Sequence, residues 1–465
     1  MTDVQAHEVE CDLLVIGGGM AGMSAAGWAA ERGARVIVVE RAAALGGSAV
    51  LSGGVLWTAS SPEKMTLYGG GDPALGQVVF DTYPDAVAWL RHREIDISPR
   101  MDVLHGQGYQ IDIAGHIRGC ATLVEQHGGY IMLDTETIEL TRDEAGAITG
   151  ALTRHADGDV LVRAAATLLA TGGFQASPEL RERFIHPNAR DMLLRSNPVS
   201  DGAGLRLGEE VGGEVAGTNR GFYGHLVSEP RAWGDERLFV ALSQYHSEHA
   251  LLFNEAGQRF CDETRGDHTN TYETLIQPNA RALCVWDRRV HESYATVPVV
   301  SIGVAEDKLE VALANGGKGI VAADAAAVGE FASAHGFDGE AIIASLASFN
   351  DAARHGWERQ HPPRSEDARP IDKAPFYALI VHPAITFTFG GLTIDTGAHV
   401  LRSDGSRVAG LFAAGADAAG AYGSGYAGGL ALAMTFGITA ARSAGWTRKL
   451  DVFSTHPFAK ATSSA

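Results

Sequence analysis

The chain has 465 residues, of which 45% are hydrophobic and 20% are charged, and this composition predicts an ordinary globular protein of two or three domains. The formal net charge of −19 argues against nucleic acid or an anionic membrane surface as a partner. The polar N-terminus does not have the pattern of a signal peptide, and no apolar run approaches the length of about 18 residues that a membrane span needs. We therefore expect a cytoplasmic protein that has no membrane partner.

The four cysteines are far apart and form no C-x-x-C pair: Cys11, Cys120, Cys261 and Cys284. This spacing predicts reduced, buried thiols. It indicates neither an iron–sulfur cluster nor a structural zinc site, and we expect no metal.

The first predicted elements form a complete strand–turn–helix–strand unit. Residues 13–16 are an apolar run typical of a buried parallel strand, residues 23–32 are an alanine-rich helix, and residues 35–39 are a second strand that ends at Glu40. The turn after the first strand has the spacing G-x-G-x-x-G: Gly17, Gly19 and Gly22. In this context the motif predicts a dinucleotide site, with a pyrophosphate at the helix N-terminus and ribose hydroxyls on Glu40.

Two further glycine-rich segments can bring bare backbone close to a long ligand. Residues 45–54 carry four glycines and two serines, and residues 171–174 form a small turn after a buried strand. Between them we expect a surface excursion at residues 61–80, a helix at 85–93, and a hairpin formed by 130–140 and 147–155.

Residues from about 222 to 365 differ in character, since they hold most of the charged helices and much of the histidine and tryptophan. We interpret them as a separate domain inserted into the first, with a hairpin at 252–260 and amphipathic helices within 322–355. The chain then returns through elements that end in a glycine-rich turn and a helix: a strand at 385–392, a hairpin at 393–407, a buried strand at 410–417, the turn at 423–429 and the helix at 430–445.

Together these motifs resemble the fumarate reductase/succinate dehydrogenase flavoprotein family over nearly the whole chain. The resemblance rests on segments in the expected order: DLLVIGGGMAGMSAA, LGGSAVLSGG, ATGGF, DGAG, LLFNEAGQRFCDE, PFYA, GGL, LFAAGAD and GGLALAMTFG. The family implies an α/β fold, in which a Rossmann-type FAD-binding domain with a parallel sheet carries an inserted α+β capping domain and the flavin ring lies where the two meet. We place the two parts of the FAD-binding domain at residues 1–221 and 369–465, and the cap at 222–368.

By motif position, the resemblance also implies which residues hold FAD. The implied set is Gly17, Gly19, Met20, Ala21, Gly22, Glu40, Arg41, Gly46, Gly47, Ser48, Ser52, Gly53, Gly54, Thr171, Gly172, Gly415, Asp417, Leu430, Ala431 and Leu432. Asp417 stands where the family more often has Glu, and it should bind the ribityl hydroxyls. The backbone N–H groups of residues 430–432 should face the pyrimidine edge of the flavin, where a reduced flavin carries negative charge.

We expect FAD to be held non-covalently, because the segment before Ser52 lacks the histidine that forms a covalent bond in some members. The chain has no second G-x-G-x-x-G, so a dedicated NAD(P)H domain is not expected. The expected partners are a small-molecule substrate and an electron acceptor or donor.

The family's shared chemistry moves a hydride between the flavin and a carbon next to an activating carbonyl or carboxylate, while a proton moves at the neighbouring carbon. Two residues that bind substrate carboxylates in fumarate reductases are replaced here, since Tyr426 stands for an arginine and Phe387 for a histidine. A buried dicarboxylate would then carry unpaired charge at a cost of several kcal/mol. A C4 dicarboxylate is therefore disfavoured.

Residues 426–437 instead resemble the 3-ketosteroid dehydrogenase branch, in which a tyrosine at the position of Tyr426 hydrogen-bonds the substrate ketone and promotes enolisation. That branch has proline at the position of Ala427 and glycine at that of Leu430, so a steroid is only one possible substrate. A purely packing role near the flavin is the alternative for Tyr426.

The catalytic acid or base is expected in the cap, shortly after the segment RFCDE. Fumarate reductases have an arginine there and ketosteroid dehydrogenases a tyrosine, and this chain offers Arg265 first, His268 second and Asp267 third. Arg265 could equally be a surface ion-pair partner of Asp262 or Asp267. His225 lies near the family's substrate-contacting histidine. Further residues that could line the pocket are Tyr245, His246 and His249.

We interpret the chain as an FAD-dependent oxidoreductase that acts on a carbon–carbon bond next to a ketone, by α,β-dehydrogenation of a cyclic or steroidal ketone. One alternative is an ene-reductase of an unsaturated acid, with Arg265 as the acid. A second alternative is a flavoprotein subunit that passes electrons to a partner, which the absence of a covalent-flavin histidine and of cysteine ligands disfavours.

Overall fold

A computed structural model describes residues 7–103, 106–217, 221–228, 238–298, 305–356, 362–423 and 425–447. In these ranges the strands are β1 His7–Ile16, β2 Val36–Val39, β3 Val55–Ala59, β4 Met101–Val103, β5 Gly106–Gln110, β6 Tyr130–Met132, β7 Glu136–Arg142, β8 Ile148–His155, β9 Gly158–Leu169, β10 Leu193–Leu194, β11 Val215–Ala216, β12 Phe222–Ser228, β13 Leu251–Phe253, β14 Ala282–Asp287, β15 Gly319–Ala322, β16 Phe376–Thr388, β17 Gly391–Leu392, β18 His399–Leu401 and β19 Arg407–Ala413.

The helices lie mostly between these strands. They are α1 Met20–Ala30, α2 Pro62–Gly69, α3 Pro73–His92, α4 Ile113–Gln126, α5 Pro178–Phe184, α6 Ala203–Glu210, α7 Leu238–Ala241, α8 Asp267–Leu275, α9 Arg288–Val290, α10 Lys308–Ala314, α11 Ala325–Ala334, α12 Gly339–His355 and α13 Gly429–Ser443. Among the described helices, none combines the length and the apolar character that crossing a membrane requires.

The first sheet has the predicted Rossmann-type core. Its strand order is β18-β19-β9-β1-β2-β6, and the hairpin β7–β8 extends it beside β9. Strand β1 pairs in parallel with both β2 and β9, and the apolar end of β1 is fully covered on both faces. A parallel sheet needs this double cover, which explains the continuous apolar run at residues 13–16. The α/β fold class is therefore confirmed.

Helices α1 and α13 pack against each other so closely that a glycine position at their contact leaves no room for a Cβ atom. Every residue of α1 is buried. A Cβ atom at Gly437 of α13 would lie 2.3 Å from the backbone oxygen of Ala21, and a Cβ at Gly27 would lie 2.7 Å from the Sγ atom of Cys120 in α4. Small residues on these helices thus let the end of the chain rest directly on the first helix.

The second sheet is built around the long strand β16. Strands β14 and β15 pair with its first half, and β12 and β10 pair with its second half. The order β10-β16-β14-β13 forms the central path of this sheet, and α11 and α12 belong to the same region. The sequence places the return to the first domain at residue 369, whereas the pairing of β16 puts residues 376–388 in the second sheet. The domain boundaries themselves stay a proposal.

Several local predictions can be compared with the elements. The hairpin predicted at 130–155 is formed by β7 and β8, while residues 130–132 pair with β2 instead. All four cysteines are free and buried, as expected. Residues 61–80, predicted as a surface excursion, are mostly exposed or half-buried, and they form α2 and the start of α3. Side chains of Ser61 and Asp72 cap the two helices, and Gly70 ends the first with φ of 65°.

Candidate active site

The turn between β1 and α1 is packed so closely that two of its positions require glycine. Gly17 has φ of 110°, and a Cβ atom there would lie 2.2 Å from the oxygen of Ala170. A Cβ at Gly22 would lie 1.9 Å from the oxygen of Gly17. A Cβ at Gly19, in contrast, would have its nearest neighbour at 4.0 Å. The turn therefore leaves open space at Gly19, where a phosphate can approach the backbone.

The start of α1 offers free hydrogen-bond donors beside this space. Gly19 is the N-cap, no side chain caps the helix, and the first turn holds no acidic residue. The N–H groups of Met20, Ala21 and Gly22 are thus available to an anion. Glu40 ends β2 nearby, and its buried carboxylate accepts the N–H groups of Gly18 and Ala42 at 2.7 Å each.

The guanidinium of Arg41 is bound to the protein itself. It forms an ion pair of 3.0 Å with Asp201 and also bonds the carbonyl of Val199. These contacts join the end of β2 to the turn before α6. A contact between Arg41 and FAD stays a prediction.

The second glycine segment lies against the first. The N–H of Gly46 donates to the oxygen of Gly18 at 2.9 Å, and a Cβ at Gly47 would lie 3.5 Å from the Cα of Gly19. The hydroxyl of Ser48 is 2.8 Å from that of Ser196. A Cβ at Gly53 would meet nothing within 4 Å. Gly46 and Gly47 therefore lie directly against the α1 turn, and we name these glycine positions, together with the open backbone at Gly53, the cofactor groove.

The carboxylate of Asp417 is fully enclosed by the third glycine turn. It accepts the N–H and the hydroxyl of Thr171, the hydroxyl at 3.0 Å, and the N–H of Gly173 at 3.0 Å. Burial raises the pKa of Asp417, and these hydrogen bonds oppose that rise. Asp417 therefore ties the end of β19 to the end of β9, next to Gly415 and Gly172. Its contact with a ribityl hydroxyl stays a prediction.

The hydroxyl of Tyr426 lies at the start of α13. It accepts the N–H of Gly429 at 2.9 Å, so its own proton remains available to another acceptor. The ring of Tyr426 stacks on that of Tyr223, with centroids 3.6 Å apart, and Trp57 packs edge-on at 5.5 Å. Burial raises the pKa of Tyr426, which keeps it a neutral donor. Apart from Tyr426, no side chain of the described residues caps the start of α13, so the N–H groups of Leu430 and Ala431 stay uncapped, whereas that of Leu432 donates to the oxygen of Gly428 at 3.1 Å.

A histidine–carboxylate pair lies beside the stacked tyrosines. The Nδ1 atom of His225 hydrogen-bonds the Oδ2 atom of Asp267, and the hydroxyl of Ser247 donates to Oδ1 at 3.4 Å. The ring of His225 contacts those of Tyr223 and Tyr245, with centroids 4.9 and 4.8 Å away. Burial lowers the pKa of His225, against the opposing effect of Asp267, so the ring is neutral near pH 7.

These residues form one group drawn from distant parts of the chain, which we name the tyrosine cluster: Tyr223, His225, Tyr245, Asp267 and Tyr426. Tyr223 and His225 are two residues apart on β12 and their rings are in contact, and the pairing of β12 with β16 is irregular between Tyr223 and Gly224. Phe387 on β16 borders the cluster, 5.6 Å from the ring of Tyr223 and 5.9 Å from that of Tyr426.

Two members of this region escaped the sequence analysis. Tyr223 precedes His225 by two residues, and this spacing, which puts two side chains on one face of a strand, could have found it. Arg195 follows two leucines and precedes Ser-Asn-Pro, a stretch without any catalytic pattern. Its buried guanidinium donates to the hydroxyl of Tyr245 at 3.4 Å.

The remaining candidates lie at other places. Arg265 is exposed, and its guanidinium forms no ion pair with Asp262 or Asp267. His268 follows Asp267 and is half-buried, and desolvation lowers its pKa. Outside the cluster, His246 packs edge-on against a tryptophan, and His249 stacks on a tyrosine and pairs with an aspartate: Trp286, Tyr294 and Asp367.

Comparison with known proteins identifies the family. A profile described as "FAD binding domain" matches residues 12–430. The chain belongs to this family, that of the fumarate reductase and succinate dehydrogenase flavoproteins. It is an FAD-dependent oxidoreductase of the type that acts on CH–CH bonds, as its relatives are.

Three similar proteins illustrate the range of the family. The chain is 28% identical to a fumarate reductase (cytochrome) of Shewanella frigidimarina, over 93% of this chain and 76% of that protein. It is 24% identical to a 4-oxocyclohexanecarboxylate 2-dehydrogenase of Sinomonas cyclohexanicum, over 93% and 92%. The structure of a 3-ketosteroid-Δ4-(5α)-dehydrogenase from Rhodococcus jostii RHA1 has a similar fold, with a TM-score of 0.73 and 22% identity over 95% and 98% of the two chains.

The groove fits the FAD that the family binds. The open side of Gly19, the uncapped start of α1 and the open backbone at Gly53 would accept the pyrophosphate and the chain that joins it to the flavin. The uncapped N-terminus of α13 would favour negative charge on the flavin. No histidine stands between Glu40 and Ser52, in agreement with non-covalent binding.

Proposed function

We propose that the protein forms a carbon–carbon double bond next to a carbonyl group, as an α,β-dehydrogenase of a cyclic ketone. The observation that supports this most strongly is the pairing of a phenol donor with a histidine base in one cluster. Tyr426 has a proton to donate, and His225 is neutral with one ring nitrogen not used by Asp267. A ketone and its α-carbon need these two functions close together.

The residues divide the work in the following way. The hydroxyl of Tyr426 donates to the ketone oxygen, which increases the acidity of the neighbouring C–H bond. Because Tyr426 itself accepts the N–H of Gly429, the start of α13 stabilises negative charge that develops on the phenol oxygen. His225 removes the α-proton through Nε2, while Asp267 holds the ring and stabilises the imidazolium. FAD, when bound, supplies the acceptor for the hydride of the β-carbon.

The walls of the cluster support a cyclic substrate. Tyr223, Tyr426 and Phe387 present aromatic faces and edges, which suit an apolar ring better than a small dicarboxylate. Two proteins similar to this chain are named for the oxidation of cyclic ketones, one a ketosteroid and one a cyclohexanone acid. We retain a cytoplasmic location and an unidentified electron acceptor as parts of this proposal.

The second candidate is the reverse reaction, reduction of an unsaturated acid. Its support is the identity of 28% to a fumarate reductase over 93% of this chain. The same residues would serve, since a protonated His225 can return the proton that the neutral form removes. The exposed position of Arg265 does not favour it as the acid in this direction.

Anaerobic mixing with a panel of compounds tests the proposal. Oxidised holoenzyme is mixed separately with cyclohexanone, 4-oxocyclohexanecarboxylate and a 3-ketosteroid. The main visible absorbance band of the oxidised flavin, at about 450 nm, is followed. We expect at least one cyclic ketone to bleach the flavin. The proposal fails if no ketone bleaches it while fumarate or another enoate rapidly reoxidises the reduced enzyme.

A further inference from the structure

Arg195 is a buried cation next to the tyrosine cluster. It directly follows β10, whose parallel pairing with β16 brings it beside Thr386. Its side chain donates from Nε to the oxygen of Phe239 at 2.7 Å, from Nη1 to the hydroxyl of Thr386 at 3.1 Å, and from Nη2 to that of Tyr245 at 3.4 Å. These bonds use three of its five N–H groups, and the described residues offer no acceptor for the other two.

The charge of Arg195 is not balanced by any carboxylate within the part of the chain that the structure describes. Among the residues that the structure describes, no carboxylate lies within ion-pair distance of its guanidinium, although the residue is only 9% exposed. Asp267, the carboxylate of the cluster, already binds His225 and Ser247. A buried guanidinium without a counter-ion is unfavourable, and an anionic ligand would remove that cost.

A second cation in the region has partners of its own. The ammonium group of Lys308 lies 6.0 Å from the centre of the Tyr245 ring. It donates to the carbonyls of Val240 and Ala241 and forms an ion pair of 3.6 Å with Glu306. Lys308 is therefore compensated within the protein, whereas Arg195 is the cation on which an incoming anion would act.

Tyr245 connects Arg195 to the reacting groups. Its hydroxyl accepts from the guanidinium, and its ring packs edge-on against His225 with centroids 4.8 Å apart. The guanidinium thus stands one tyrosine side chain away from the base. This arrangement suits an acidic group that is separated from the reacting carbons by several bonds of one small molecule.

We propose that Arg195, together with the hydroxyl of Tyr245, binds a carboxylate on the substrate, so that the enzyme selects a ring ketone with one acid group over its neutral analogue. This inference rests on the proposed function, because the tyrosine cluster is taken as the place of reaction. One guanidinium serves one carboxylate, in bidentate or single contact. The substitutions at Tyr426 and Phe387 therefore do not exclude acids as a class; they limit the substrate to a single acid group.

The test compares an acid with its own methyl ester on the holoenzyme. Isothermal titration calorimetry measures the affinity for 4-oxocyclohexanecarboxylate and for its methyl ester, which differ in one charge. We expect the acid to bind about 100-fold tighter, the range typical of a buried charge-assisted contact. Equal affinities of the unmodified enzyme for acid and ester would overturn the inference, and this measurement requires no variant.

Variants then assign the preference to Arg195. R195Q should reduce the ratio of acid to ester affinity to near 1, and R195K, which keeps the charge, should retain part of it. The matched control is R364Q, because Arg364 is also a buried arginine, only 4% exposed and bound to the carbonyls of Ala250 and Glu248, outside the cluster. R364Q should keep the full ratio, and a ratio unchanged in R195Q would contradict the assignment.

The two proposals can fail separately. If neither the acid nor its methyl ester bleaches the flavin, but the acid still binds more tightly than the ester through Arg195, the proposed dehydrogenation is wrong and the carboxylate site stands. If both the acid and the ester bleach the flavin and they bind with equal affinity, the dehydrogenation stands and the carboxylate site is wrong.

Discussion

The hydroxyl of Tyr426 has one role in the fold and one in the proposed chemistry, and a substitution can separate them. In Tyr426→Phe the stacking on Tyr223 is kept while the donor to the ketone is lost. We expect turnover to fall about 100-fold or more, as for the loss of one donor to a developing oxyanion, with FAD content unchanged. Stopped-flow bleaching of the flavin measures the rate.

The control for this variant is Tyr422→Phe. Tyr422 is a buried phenol of the same segment, and its hydroxyl donates to the oxygen of Gly428 at 2.9 Å. It lies outside the tyrosine cluster. A loss of turnover as large in this control as in Tyr426→Phe would show that Tyr426 acts through packing.

The lowered pKa of His225 predicts how the rate depends on pH. Burial places this pKa below the ordinary value of 6.5, so the ring remains a base through neutral pH and is lost as a base only when pH falls through its lowered pKa. We expect kcat/KM for a ketone to be level above pH 6.5 and to decline on the acid side, measured from pH 4.5 to 8.

In His225→Gln the acid limb should disappear together with most of the rate, whereas His249→Gln, in the cap but outside the cluster, should keep the limb. A limb that survives in His225→Gln would assign the titration to another group. His268, which is half-buried and also has a lowered pKa, would then be the residue to examine.

At the scale of elements, the contact between α1 and α13 joins the two helices that are predicted to hold opposite ends of FAD. In Gly437→Ala the new methyl group would lie 2.3 Å from the oxygen of Ala21, so the helices must move apart. We expect a loss of about 2 kcal/mol in the free energy of unfolding and a weaker affinity for FAD. Denaturant unfolding and FAD titration measure the two effects.

The control is Ser443→Ala at the exposed end of the same helix, where no such contact exists. It should change the free energy of unfolding by no more than about 0.5 kcal/mol. An FAD affinity in Gly437→Ala equal to that of the original protein would show that α13 does not depend on this contact for its position.

Elements with local signals could be predicted from the sequence, and those without them could not. The glycine turn after β1 and the hairpin β7–β8 are encoded by neighbouring residues, and both occur as predicted. The three consecutive glycines in the stretch 61–80 predict a surface excursion, but they do not predict the helices within it. In the structure Gly70 instead separates two capped helices.

The candidate active site was harder to predict from local sequence than the fold. Arg195 acquires its partners only through the pairing of β10 with β16, and Thr386 is 191 residues away in sequence. Nothing near Arg195 in the chain indicates that it meets Tyr245. Likewise the preference for Arg265 rests on its position after RFCDE in the family resemblance, while the side chain's exposure depends on the tertiary structure.

For the whole molecule, two buried histidines in different regions predict loss of stability in acid. Burial lowers the pKa of His116, in α4, and that of His246, in the cap, to about 3 each. Both side chains are therefore neutral in the folded state at pH 4 to 6, while the unfolded chain takes up their protons. Stability should be complete above pH 6.5 and decrease as pH falls from 6.5 towards 3.

His246→Phe isolates one of these contributions. Neither ring nitrogen of His246 has a hydrogen-bond partner among the described residues, and the ring packs edge-on against Trp286, a contact that phenylalanine can keep. We expect the dependence of unfolding free energy on pH between 4 and 6 to become shallower by about 1.4 kcal/mol per pH unit. The exposed His92→Phe is the control and should leave the slope unchanged.

The contact between Gly437 and Ala21 also has a consequence for biosynthesis. Helix α1 ends at residue 30, whereas α13 is complete only when residue 443 has been translated. During that interval the apolar surface of α1, which is buried throughout in the finished protein, is not yet covered by α13. This surface therefore needs another cover, such as a chaperone or a transient contact, until α13 is made. The site can accept its cofactor only after translation is nearly complete.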